Sequence, residues 1–113
     1  SSNKSESVFV NGDLKIDYAA GCAYLSGDEL HLTPIEYKLL CLLSRNVGKV
    51  LTHTFITQKI WGATWESNIA SLRVFMATLR KKIEPSADSP QYIQTHIGIG
   101  YRMVKAEWFF YNV

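Results

Sequence analysis

Few of the 113 residues have the type and spacing that chemistry requires. The three histidines, His31, His53 and His96, are far apart, with no Cys, Asp or Glu at metal-ligand spacing. No nucleophile elbow, phosphate-binding loop or zinc-protease motif occurs. Gly98-Ile99-Gly100 does not open a helix, so it is no dinucleotide fingerprint. We therefore expect neither enzyme, nor bound metal, nor cofactor. What remains is a cluster of cations, Arg73, Arg80, Lys81 and Lys82, within one segment of helical periodicity. Guanidinium and ammonium groups in such a row suit the binding of a polyanion.

That segment, 67–83, repeats Ile69, Leu72, Met76, Leu79 and Ile83 at steps of three and four, which makes one buried stripe. Ser67, Ala70, Ser71, Val74, Ala77, Thr78 and Lys81 then project away from the stripe. Arg73 and Arg80 lie on one flank and Lys82 on the other. An outer face of small and hydroxyl-bearing residues flanked by long cations suits a helix that enters a DNA major groove. Small side chains allow close approach to base edges, hydroxyls donate or accept, and Val74 can meet a thymine methyl. The cations bind phosphates and set the register. The competing reading is a solvated amphipathic helix whose basic end, Arg80-Lys81-Lys82, complements the macrodipole. The outward Val74 favours contact.

The composition, 47% apolar and 19% charged, is that of one globular domain. No apolar run approaches the roughly 20 residues that span a bilayer, and SSNKSES at the start lacks a signal peptide's apolar core. Two cysteines make no disulfide scaffold at this length, so the expectation is a reduced, cytoplasmic protein with no membrane partner. The net charge of +2 conceals an asymmetry. Residues 1–47 carry four basic and six acidic side chains, whereas residues 48–113 carry eight and four.

Positioning the basic helix is the task of the elements around it. Residues 1–7 are small and polar and read as a linker remnant or disordered start. From Val8 to Leu32, short apolar runs alternate with turns, which predicts an antiparallel meander of four strands, the last over Glu29–Leu32. Thr33-Pro34-Ile35-Glu36 is a capping box with proline at the first helical position, and Leu32 and Tyr37 form its hydrophobic staple. This first helix ends at Asn46-Val47-Gly48. Val50-Leu51 is too short for an element of its own, and Thr52 caps a second helix that ends at Trp61-Gly62. The third helix begins near Ser67 and stops at Glu84-Pro85. After the polar loop 86–90, Tyr92–Thr95 and Tyr101–Val104 predict a hairpin turning on Gly98 and Gly100, which would supply positive φ. The second and third helices form a helix-turn-helix whose linker, Gly62 to Glu66, is longer than the compact turn, and the hairpin is its wing. The fold class is α+β, and the domain spans residues 8–104.

Several runs resemble those of one family. Leu32-Thr33-Pro34-Ile35-Glu36-Tyr37-Lys38-Leu39-Leu40 is similar to the LTxxExxLL opening of OmpR/PhoB-type effector domains. Gly48-Lys49-Val50-Leu51-Thr52, Ile60-Trp61-Gly62, Leu79-Arg80-Lys81-Lys82-Ile83 and Gly98-Ile99-Gly100-Tyr101-Arg102 follow in the family's order. The resemblance implies a winged helix-turn-helix transcription factor with an N-terminal four-stranded antiparallel sheet, three helices and a C-terminal β-hairpin wing. It also implies that the chain is the output domain of a two-component response regulator, with a phosphoacceptor receiver domain upstream. Two copies would occupy tandem half-sites on double-stranded DNA, head to tail, about one turn apart.

The resemblance also implies roles. Trp61 would touch a phosphate, Ser71, Arg73, Val74 and Thr78 would face bases, and Arg80 would bind the DNA backbone. Thr95 and Tyr101 would bind phosphate around the wing, 92–104. The loop of Ala63, Thr64, Trp65 and Glu66 matches the segment that some members use against RNA polymerase. Ala70, Ala77 and Ile97 stand where some relatives carry arginine, so fewer phosphate contacts and a shallower salt dependence are expected. Asn68 would partly replace a lost phosphate contact and Ile97 would touch the groove wall, while Lys81 and Lys82 add cations. The alternative function is a winged-helix module that binds protein and not DNA. The last stretch, 105–113, contains Trp108-Phe109-Phe110-Tyr111 and reads as a tail that packs on the domain or serves as a partner surface.

Overall fold

Alternation and turn chemistry build the first layer. In the computed structural model, which describes residues 7–86 and 88–106, β1 (Val8–Asn11), β2 (Leu14–Asp17), β3 (Cys22–Leu25) and β4 (Asp28–Glu29) form an antiparallel sheet in that order. Leu14, Ile16 and Ala23 point from it into the core. β4 stops at Glu29, so the expected strand character of Leu30–Leu32 is not realised. Leu30 and Leu32 are drawn instead against the core as the chain turns into α1.

α1 (Pro34–Ser44) begins as its capping box requires. The Glu36 amide donates to Thr33 Oγ1 at 3.3 Å, and the Thr33 amide donates to Glu36 Oε1 at 2.8 Å. Leu39, Leu40 and Leu43 are fully buried along it. Val50-Leu51, read as too short for an element, gives Leu51 to a two-residue strand: β5 (Leu51–Thr52) pairs with the later segment Gly100–Met103, Leu51 opposite Tyr101 and Thr52 opposite Gly100. Thr52 then caps α2 (His53–Trp61), its Oγ1 accepting from the Phe55 amide at 3.1 Å. α3 (Glu66–Ile83) buries Leu72, Met76, Leu79 and Ile83, with Ile69 half-buried. β6 (Ile93–His96) and β7 (Gly100–Met103) complete a second sheet of order β5-β7-β6.

Two clasps join distant segments. Asn11, 1% exposed, donates from Nδ2 to the Val104 carbonyl (2.8 Å) and accepts at Oδ1 from the Ala106 amide (2.7 Å). Ala106 is fully buried, so packing on the domain continues past the wing as far as this residue. Glu84, just past α3, accepts backbone amides of Gln91 (2.7 Å), Tyr92 (3.0 Å) and Ile93 (2.8 Å). One carboxylate thereby fixes the start of β6 against the end of α3. The expectations for residues 1–6 and for the aromatics of 107–113 lie outside the described residues.

Candidate nucleic-acid interface

Gly62 ends α2 in the left-handed conformation (φ 73°), its amide donating to the Gln58 carbonyl at 2.8 Å. Only residues 62–65 separate α2 from α3, so the linker is a compact four-residue turn and not the longer variant expected. Glu66 belongs to the first turn of α3 and not to the loop. In that loop Trp65 is 72% exposed and Ala63 half-buried. Trp65 stands at the N-cap of α3 without a side-chain cap bond.

The outer face of α3 is laid out as periodicity requires. Ser67, Ala70, Arg73, Val74, Ala77 and Lys81 are exposed, Val74 by 63%. Ser71, Thr78 and Asn68 are half-buried at its margins. Trp61 packs partly on the core, its ring 6.2 Å from that of Phe75. The flanks differ because different elements cover them. On the α1 side, Lys82 Nζ donates to Glu36 Oε1 at 2.7 Å and to the His31 carbonyl at 2.9 Å. This is the one ion pair among the described residues. Lys82, expected to add a cation to the DNA-facing surface, has its ammonium engaged in joining α3 to α1. Thr78 Oγ1 donates to the Phe75 carbonyl at 2.9 Å and stands beside the same Glu36 carboxylate.

On the wing side, Arg80 donates from Nη2 to the Ile93 carbonyl (2.8 Å) and lies over the Tyr101 ring, 5.6 Å from its centroid. Burial lowers the guanidinium from its usual range, opposed by Tyr101 and Glu84. Tyr101 is 6% exposed and meets His53 edge-on, so its ring is a core group that seats Arg80. Between α3 and the segment before β6 lies a hollow of about 600 Å³, lined by Ala77, Arg80, Lys81, Glu84 and Thr95 among others. A longer side chain at 77 would enter it.

Beyond Thr95, which is exposed, the wing tip presents Ile97 (92% exposed) and Ile99 (55%). Gly98 supplies the positive φ (76°) of the turn. Gly100 does not, contrary to expectation: it is glycine because a Cβ there would overlap the Leu51 carbonyl. Among the described residues no three His, Cys, Asp or Glu side chains are grouped to hold a metal ion, and no helix is long and apolar enough to cross a membrane. Sequence reasoning missed Glu36, Glu84 and Asn11 as the buried or half-buried groups that tie distant segments together. Only Glu36 had a local signal, its place in the capping box.

Glu36 is 1% exposed. Burial pushes its carboxyl up, but the hydrogen bonds from Lys82 and the Thr33 amide prevail and hold it at about 2, below the ordinary 4.5. A depressed carboxylate stabilises the fold above its unfolded value and loses that contribution as pH falls through the folded value. Denaturant unfolding of wild type and Glu36→Gln from neutral pH downward should show their stability difference shrinking between pH 4.5 and 2. A difference constant across that window would refute the assignment.

Residues 27–103 match the family model described as "Transcriptional regulatory protein, C terminal". The chain is 42% identical over 99 residues to the transcriptional regulatory protein KdpE of Staphylococcus aureus, covering 87% of this chain and 43% of that relative. It thus spans less than half of that relative's length. The crystal structure of the response regulator DrrB, a Thermotoga maritima OmpR/PhoB homolog, superposes with a TM-score of 0.80 at 30% identity, over 89% of this chain and 46% of that one. The DNA-binding domain of CpxR from E. coli gives 0.76 at 26% identity, over 88% and 97%. With three helices, two antiparallel sheets and a family match running from the end of the meander through the wing, the chain belongs to the C-terminal domains of OmpR/PhoB-type transcriptional regulatory proteins.

Proposed function

We propose that this domain binds double-stranded DNA sequence-specifically and regulates transcription as the output domain of a cytoplasmic response regulator. The observation that carries the reading is the outer face of α3, where Val74, Ala70 and Ala77 are exposed between the cations Arg73 and Lys81. A solvated helix has no need of a 63% exposed valine at the centre of its polar face, whereas a major groove offers it thymine methyls. Ser71, Arg73, Val74 and Thr78 face bases, and Lys81, Arg80, Asn68 and Trp61 meet phosphates. Thr95, Tyr101 and Ile97 form the contact of the wing. The loop at Trp65 is available to a protein partner such as RNA polymerase. A receiver domain precedes the chain in the full-length protein, and two copies bind tandem half-sites. With few free cations, one copy binds weakly and the second supplies useful affinity.

Titration with a duplex selected from a randomised library, at two salt concentrations, tests this. With three to five phosphates neutralised per copy, log affinity should fall against log salt with a slope of about −2.7 to −4.5. No binding at low salt, or binding indifferent to salt, would overturn the reading in favour of a protein-binding module.

A further inference from the structure

We propose, on the DNA-binding reading above, that Glu36 is a positioning residue for base recognition. From the first turn of α1 it holds Lys82 of α3 and so sets the rotation of the reading helix about its own axis. Three observations carry it. The carboxylate is itself fixed: Oε1 accepts from the Thr33 amide at 2.8 Å, inside a capping box whose helix is anchored by Leu39, Leu40 and Leu43. That oxygen also receives Lys82 Nζ at 2.7 Å, and the ammonium is tied a second time to the His31 carbonyl at 2.9 Å. Thr78, one helical turn before Lys82, stands beside the same carboxylate at the margin of the exposed face.

The remaining contact of α3 with the core on this side is apolar, through Leu72, Met76, Leu79 and Ile83. Burial of such side chains is strong but non-directional, and it tolerates small rotations of a helix. A charge-assisted hydrogen bond between fixed groups does not. A rotation of about 20° moves a side-chain atom about 5 Å from the helix axis by nearly 2 Å, enough to separate a hydrogen-bonded pair. Desolvation largely offsets the Coulomb gain of such a pair, so its main consequence is orientation. Base readout depends on that orientation. Generic attraction to phosphates does not.

The test compares wild type, Glu36→Gln, Lys82→Met and Lys82→Arg. Each is put through selection on a randomised duplex library and titration of one generic duplex at two salt concentrations. Amide chemical shifts of the free proteins complete the set. Glutamine retains an oxygen for the Thr33 amide, so the cap survives while the ion pair is lost. Glu36→Gln and Lys82→Met should each lose about tenfold in preference for the selected site over generic DNA. Generic affinity and its salt slope should stay within about threefold and half a unit of wild type. Lys82→Arg should restore most of the preference. Without DNA, the amides of Ser71, Val74 and Thr78 should shift in the first two variants. Unchanged shifts and unchanged preference in Lys82→Met would overturn the proposal. So would a salt slope shallower by about one at constant preference, which marks Lys82 as a phosphate ligand. Failure of the wild type to bind any duplex would sink the DNA-binding reading separately, since the shifts report orientation without DNA.

Discussion

Gly100→Ala is expected to cost at least about 3 kcal/mol, one of the largest losses available to a single methyl group in this domain. A Cβ at residue 100 would overlap the Leu51 carbonyl and lie 2.9 Å from the Thr52 Cα. Both are backbone atoms, so no side-chain rotation relieves the clash. The damage would also spread. Thr52 is the strand partner of Gly100 and the cap of α2, and His53 donates its amide to the Ile99 carbonyl at 3.0 Å. Displacing β7 from β5 therefore disturbs the wing, the cap and the entry to the helix-turn-helix together. Gly98→Ala supplies the control. Its φ of 76° is unfavourable for alanine, but nothing lies within 4 Å, so about 1–2 kcal/mol is expected. Urea unfolding of the two variants beside wild type decides the matter. If Gly100→Ala proves no more costly than Gly98→Ala, close approach of β5 is not what selects the glycine.

Gly100 also illustrates what could be read from the residues. Its presence at the wing was evident, but its reason was not, because the clashing carbonyl lies on a two-residue strand with no pattern of its own. Local features were legible. Thr33, Pro34 and Glu36 announced α1, Thr52 and Gly62 bounded α2, and the stripe from Leu72 to Ile83 gave α3 with its outer face. Each depends on neighbours within a turn or two, where spacing alone carries the geometry. The ends of long side chains were not legible. Arg80 and Lys82 are two residues apart with similar chemistry, yet one reaches the wing and the other α1. Their destinations depend on which element packs on each flank, and those partners lie 13 and 46 residues away. The candidate site was therefore readable as a face, and the groups that aim it were not.

Arg80 carries the second large expectation, because the structural task it serves and the DNA contact proposed for it can be separated by substitution. Its Nη2 bond to the Ile93 carbonyl and its place over Tyr101 hold β6 against α3, while on the proposed function its charge would add to the field that meets DNA. Arg80→Ala removes both, leaves the Ile93 carbonyl without that donor, and enlarges the hollow beside Ala77. Stability should fall by about 2–3 kcal/mol, since a charge-assisted bond and buried packing go together. Affinity should fall by a similar factor on every duplex, with the salt slope shallower by about one, because phosphates carry no sequence information. Arg80→Lys keeps the charge but loses the planar fork, so the slope should persist while stability still falls by about 1–2 kcal/mol. The pair of variants thus assigns each loss to its cause. If Arg80→Ala lowers stability while leaving the salt slope intact, the guanidinium acts only within the fold. The phosphate contacts of α3 would then rest on Lys81 and Arg73, the two cations of its exposed face.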